Sequence, residues 1–286
     1  MNSAPPERTP SPPPVDLLLV TRDRRDYLER SLAGLLAGTD PFRLRIWDNG
    51  SRDGSADFIA GLEDHRVAEK HFSPDNRGQR EPFLWFLDRA RSDLAGKIDD
   101  DILTPPGWIG RIAPLLRREE RFGLLGCWTF LPGDWDEDLG RHKIIELGGA
   151  RVFRNLWIGG AAWLARKEHL RKYLSPPGDY GVPLDQYRMT ADGLVNGYPL
   201  PPLFARHLDD PRDPDYREGA VAAASATGSR KRFRSPRAYG EWIAADARKI
   251  LTEPLDEQLA RYRLRRDRSL KGSFLRLFRR LAGRPV

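Results

Sequence analysis

Between Val15 and Asp101 the chain four times runs a short apolar segment into a polar turn. Val15-Asp16-Leu17-Leu18-Leu19-Val20 leads into Thr21-Arg22-Asp23-Arg24, and Phe42-Arg43-Leu44-Arg45-Ile46-Trp47 into Asp48-Asn49-Gly50-Ser51-Arg52-Asp53-Gly54-Ser55. Val67–Phe72 leads to Asn76-Arg77-Gly78, and the fourth run, Lys97-Ile98, enters Asp99-Asp100-Asp101 before Pro105-Pro106 stops it. Apolar runs of this length bounded by turn formers read as buried strands. Tyr27, Leu28, Leu32, Leu35 and Leu36 recur at helical spacing, and Pro82–Ala90 predicts a further helix. Strands alternating with helices predict an α/β fold whose parallel strands are joined by right-handed crossovers. All four turns then share the carboxyl edge of one sheet, where ligands of open α/β folds bind. Carboxylates gathered there are costly without a positive partner, and the usual one is a divalent cation carrying a phosphorylated substrate. Taken alone, the three aspartates read equally well as a solvated acidic turn.

Size and composition bound the rest. A chain of 286 residues holds one α/β domain of about 200 to 250 residues with appendages. Cys127 is the sole cysteine, so no intrachain disulfide can form and a reducing compartment is suitable. No apolar run reaches the roughly 18 residues of a membrane span, and the amino end lacks the apolar core of a signal peptide, which predicts a cytoplasmic protein. Met1–Pro14 is proline-rich and aperiodic and is expected to be a disordered lead. Charge is uneven: from Thr227 to Val286 there are 17 Lys and Arg against 6 Asp and Glu. In this tail Ala238–Leu251 and Leu255–Tyr262 read as helices, and Phe274, Leu277, Phe278 and Leu281 form one apolar face beside Arg276, Arg279 and Arg280. Such a stripe, within 271–286, suits an anionic membrane surface, which would make the protein peripheral at the inner face of the membrane. It equally suits the catalytic domain or a second copy of the chain in a homo-oligomer. No nucleic-acid reading module is present, so no specific nucleic-acid partner is expected.

The four turns, in order and spacing, resemble the nucleotide-sugar-binding half of the family 2 glycosyltransferases of the GT-A fold, and Asp48-Asn49-Gly50-Ser51-Arg52-Asp53-Gly54-Ser55 is the most specific piece. The resemblance implies an α/β, Rossmann-like, mostly parallel sheet flanked by helices, with a C-terminal helical extension. It implies a catalytic domain at 15–210, divided into a nucleotide-sugar half, 15–105, and an acceptor half, 106–210. A mobile loop or linker at 211–235 and a basic helical extension at 236–286 follow. In that family the aspartate after the second strand recognises the base, which assigns that role to Asp48; a carboxylate suits the N–H donors of uracil, thymine or guanine. Thr21 and Asp23 occupy the family's first nucleoside-contacting loop, although its usual Tyr-Asn is Arg22-Asp23 here. Asn76, Arg77 and Asp100 join the donor site, Asp99 and Asp101 take the Asp-x-Asp positions, and His207 completes the shell of Mn²⁺ or Mg²⁺ with them. Gly159 and Gly160, within Asn155–Leu164, match the segment beneath the donor sugar; a tightly packed core strand is the other reading. Asp185, Arg188 and Gly197-Tyr198 keep the family's base-bearing segment, with Asp185 as catalytic base, while Leu184 departs from the usual Glu-Asp.

The activity implied is inverting, metal-dependent transfer from a nucleoside-diphosphate sugar to a hydroxyl of a saccharide or lipid-linked acceptor. Two other readings stand beside it. A sugar-phosphate nucleotidyltransferase shares sheet, carboxylates and metal, but Thr21-Arg22-Asp23-Arg24 has no glycine to cradle a triphosphate. A noncatalytic nucleotide-sugar-binding protein accommodates Leu184. Trp128, Trp135, Trp157 and Trp163 are candidates for a sugar-stacking platform, against the more common use of tryptophan as core.

Overall fold

The computed structural model describes residues 13–159, 161–174, 182–217 and 233–268. Their strands are β1 (Val15–Thr21), β2 (Phe42–Asp48), β3 (Val67–Phe72), β4 (Leu94–Asp99), β5 (Ile102–Leu103), β6 (Phe122–Gly126), β7 (Ile144–Leu147), β8 (Ala150–Arg154), β9 (Trp163–Arg166), β10 (Val195–Pro199) and β11 (Arg206–His207). The helices are α1 (Arg25–Ala37), α2 (Ser55–Gly61), α3 (Arg80–Arg89), α4 (Trp108–Arg118), α5 (Glu137–Gly140), α6 (Lys167–Lys172), α7 (Val182–Ala191), α8 (Pro236–Thr252) and α9 (Leu255–Arg268).

Nine strands form one mixed sheet in the order β3-β2-β1-β4-β9-β6-β10-β8-β7. The first four are parallel, as expected, because each returns through a helix. β9 then enters antiparallel between β4 and β6. Gly96 permits this close approach, since a Cβ there would stand 2.1 Å from the Trp163 carbonyl oxygen. β1 is buried along its whole length, and its side chains alternate between two cores. Leu17 and Leu19 join Leu28, Leu32, Ile98 and Ile112 on one face, whereas Leu18 and Val20 join Trp47, Phe83, Phe86 and Trp163 on the other.

At the amino end of β1 the buried Asp16 carboxylate accepts from Arg43, from Arg45 and from the backbone N–H groups of Arg91 and Ser92. Burial opposes its charge, but these donors hold its pKa down at about 2. The cluster ties β1, β2 and the start of β4 together at the edge opposite the polar turns.

The C-terminal helices fold back on the sheet. Ser235 Oγ accepts from Ala238 N and starts α8, and Lys143 Nζ donates to Ile250 O near its end (2.6 Å) and to Asn155 Oδ1 (2.8 Å). Burial pushes the Lys143 ammonium down to about 7. α9 lies against α7 through Tyr262 stacked on Tyr187, with ring centroids 3.9 Å apart. The packed-strand reading of Asn155–Leu164 needs correction: the strand begins only at Trp163, because the backbone groups of 156 and 158 bond to side chains and not to a neighbouring strand. The expected lead through residue 12, the loop at 218–232 and the amphipathic tail at 271–286 lie outside the described residues.

Candidate active site at the carboxyl edge

Register brings the polar turns to one level. Thr21 pairs with Asp48, Asp48 with Phe72, and Val20 with Asp99, so four strand ends reach the same edge. A two-stranded sheet completes it: β11 runs antiparallel to β5 with His207 opposite Ile102, and Leu208 N donates to Asp101 O at 2.8 Å. His207 Nε2 thereby stands 3.2 Å from Asp101 Oδ2, across 106 residues of sequence.

Asp100 and Asp101 are 5% and 3% exposed, a depth at which carboxylates require partners. Arg24, at the start of α1, supplies one guanidinium to three of them, with contacts to Asp101 at 2.9 Å, Asp100 at 3.3 Å and Asp209 at 3.5 Å. Thr21 Oγ1 donates to Asp100 Oδ2 at 2.7 Å. Burial raises Asp100 to about 7, against the pull of Arg24. Asp101 is also opposed by burial, yet Arg24 and His207 hold it well below the ordinary carboxylate range. Burial disfavours the His207 imidazolium, but the Asp101 carboxylate lifts it to about 9. Asp99 is paired with Lys97, two residues earlier on the same strand face.

In the second turn, Asp48 is 2% exposed, and its Oδ2 accepts from Gly50 N (3.1 Å) and Ser51 N (3.0 Å). Gly50, at φ 74°, takes the left-handed conformation the turn needs. The other oxygen, Asp48 Oδ1, is buried and accepts no hydrogen bond from the described residues. Asn49 joins this turn to the next by donating to Gly78 O and accepting from Arg77 N. Asn76 is exposed and caps its own turn through Gly78 N, while the Arg77 guanidinium lies 3.7 Å from Asp75. Asp23, in the left-handed region at φ 51°, accepts from Arg52 N and so links the first two turns.

Asp185 stands in the first turn of α7 and is 3% exposed. Arg80, just beyond Asn76-Arg77-Gly78, reaches it with Nη1 3.1 Å from Asp185 Oδ2, so the β3–α3 turn and α7 meet. The next residue, Gln186, clasps Ile158 at both backbone groups, accepting from its N–H (2.5 Å) and donating to its carbonyl (3.0 Å). This fixes the approach to Gly159 beside α7; Gly160 lies outside the described residues.

A sequence model of glycosyl transferase family 2 matches residues 16–174, more than half of the chain. The chain belongs to glycosyl transferase family 2. Among solved structures, this glycosyltransferase is similar to the mannosyltransferase PcManGT of Pyrobaculum calidifontis in complex with GDP-Man and Mn²⁺ (17% identity, 94% of this chain and 80% of that one, TM-score 0.57). It is also similar to TarS 1-349 of S. aureus in complex with UDP-GlcNAc (13% identity, 86% and 77% covered, TM-score 0.51). Among curated proteins none matches. The expected GT-A architecture holds, and the family decides for glycosyl transfer over nucleotidyl transfer.

The donor set of this family 2 enzyme suits a hard divalent cation in part. Asp101 Oδ2 and, once an arriving cation displaces its proton, His207 Nε2 would offer an oxygen and a nitrogen 3.2 Å apart, the pairing that Mn²⁺ accepts. Among the described residues no three His, Cys, Asp or Glu side chains are arranged to hold an ion unaided. The two are sufficient where substrate phosphates supply the remaining ligands. Arg24, Lys97 and Arg80 were not singled out from sequence. Lys97 carried a signal, a lysine inside an apolar strand in phase with Asp99; Arg24 and Arg80 are two among 48 basic residues.

Proposed function

We propose that this glycosyltransferase takes its sugar from a nucleoside-diphosphate sugar and passes it, with inversion, to an acceptor hydroxyl. The observation that carries the reading is Asp48 Oδ1, a buried carboxylate oxygen without a hydrogen bond from any described residue, on the strand edge that also bears Asp99 and Asp101. Buried acceptors are almost always satisfied, and a base N–H from uracil or guanine would satisfy this one. The UDP-GlcNAc and GDP-Man ligands of the structural neighbours support both bases equally.

The chemistry assigned to the chain's residues is as follows. Asp48 fixes the base, and the Gly159 segment lies under the sugar. Asp185 accepts the proton of the acceptor hydroxyl while that oxygen bonds to the anomeric carbon. The bond from that carbon to the diphosphate oxygen breaks on the opposite face, and the diphosphate leaves with the electron pair. Arg80 holds the Asp185 carboxylate in place through its 3.1 Å contact. A Mn²⁺ or Mg²⁺ ion, held by Asp101 and His207 with Asp99 nearby, would supply charge neutralisation for the diphosphate.

A thermal-shift screen of UDP-, GDP- and dTDP-sugars with Mn²⁺ tests the reading. One base class is expected to raise the unfolding midpoint through its diphosphate sugar. No stabilisation by any of them would overturn the reading.

A further inference from the structure

Four tryptophans were candidates for a sugar platform, and their burial separates them. Trp128 and Trp163 are fully buried, Trp135 is half-buried edge-on to Trp128, and Trp157 is 41% exposed. Its neighbours Leu156 and Ile158 are 0% and 2% exposed, so the chain turns two apolar side chains inward and the largest outward.

The backbone that presents Trp157 is clamped on every side. Asn155 Nδ2 donates to Trp157 O (2.8 Å), Asn196 Nδ2 to Leu156 O (3.2 Å), and Gln186 holds both backbone groups of Ile158. Gln258 of α9 accepts from Leu156 N (3.4 Å). An apolar ring left in water by a loop this firmly held is not there through slack packing, and rigid aromatic faces are effective ligand anchors. Gly159, which the transfer reading puts under the donor sugar, marks where this loop borders that subsite. Among the described residues a Cβ at this position would meet only Thr129 Oγ1, at 3.6 Å, and its φ is not in the left-handed region. The packing of the described residues therefore leaves room above that backbone. The same Gln186 that clamps Ile158 directly follows Asp185, so the segment that carries Trp157 abuts the turn of α7 that bears the carboxylate assigned as base.

We propose that Trp157 is the stacking platform for a pyranose ring of a saccharide acceptor, whose apolar C–H face lies on the indole while a ring hydroxyl points to Asp185. A flat indole selects a ring with axial hydrogens on one face, so a glycoside is the ligand class. This inference rests on the transfer reading, which places an acceptor beside Asp185.

The test uses the full chain with bound nucleoside diphosphate and Mn²⁺, and saturation-transfer NMR with methyl glucoside, galactoside, mannoside and N-acetylglucosaminide as probes. At least one glycoside is expected to bind the wild type. Trp157→Ala should weaken it tenfold or more and Trp157→Phe by less, with the nucleotide Kd of both variants within twofold of wild type. Glycoside affinity equal in wild type and Trp157→Ala, or no glycoside binding while nucleotide still binds, overturns the platform and leaves donor use intact. A nucleotide Kd raised in Trp157→Ala overturns it too, by moving the ring to the donor. No nucleotide binding to the wild type sinks the transfer reading itself, and the platform with it. Thermal unfolding of both variants near the wild-type midpoint verifies that the loop is still folded.

Discussion

Asp48→Asn isolates the atom on which donor recognition turns. The variant can keep its amide oxygen on Gly50 N and Ser51 N, the contacts that Oδ2 now makes at 3.1 and 3.0 Å, so the turn should keep its shape. The amide nitrogen then replaces Oδ1, the buried oxygen with no donor among the described residues, and a donor faces the base where an acceptor stood. A hydrogen bond to a charged group contributes about 1.5 to 3 kcal/mol, and an unpaired buried donor costs about 1 to 3 more. The low end of their sum, about 2.5 to 3 kcal/mol, corresponds to a Kd raised roughly 70- to 160-fold. Isothermal titration with UDP and GDP measures this, with inorganic pyrophosphate as a ligand that lacks the base. The nucleoside diphosphate that binds wild type should weaken by that factor, and pyrophosphate should not change. A nucleotide Kd within twofold of wild type would refute the argument, and equal weakening of pyrophosphate would show that the turn had collapsed.

Other residues give independent tests. Asp101→Ala should abolish the Mn²⁺ dependence of nucleotide binding, seen as coincident titrations with and without the ion; a retained dependence would place the cation elsewhere. Asp16→Asn leaves the buried Arg45 with only its longer 3.4 Å carboxylate contact to Glu69 and should lower stability by about 3 kcal/mol in urea unfolding; a loss below 1 kcal/mol would contradict the role given to that cluster. Because Asp16 titrates at about 2 when folded against an ordinary 3.8, its contribution of about 2 kcal/mol is present above pH 4 and disappears as pH falls through 2. Lys143 has the opposite slope. Its folded pKa of about 7 lies below the ordinary 10.5, so the unfolded chain binds the extra proton and stability rises with pH between them. From pH 7 to 9 the wild type should gain about 2 kcal/mol relative to Lys143→Met, and a pH-independent difference would mean the buried amine stays charged.

Most of the sheet from β1 to β4 was legible in the sequence because its strands are short apolar runs, each closed by its own turn. β9 was not, since its four residues gain their place only by pairing with β4 and β6. The β5–β11 pair was equally hidden, being two residues on each side brought together across about a hundred positions. That pairing sets His207 on Asp101, so the sequence could nominate the histidine by resemblance but could not supply its position. Arg24 and Arg80 were invisible for a different reason: in a chain so rich in arginine, only burial distinguishes the guanidinium that neutralises three carboxylates from those that face water. The tryptophans make the same point, as four identical letters resolve into core and surface only once the loop around Trp157 is clamped.

The most direct test of the central claim is turnover by wild type and Asp185→Asn on the nucleotide sugar that binds. The account predicts that wild type releases nucleoside diphosphate and yields a product of inverted anomeric configuration, while Asp185→Asn binds the donor with unchanged affinity and transfers at least about a hundredfold more slowly, the usual scale of a lost general base. Full turnover by Asp185→Asn, or a product of retained configuration, would contradict it.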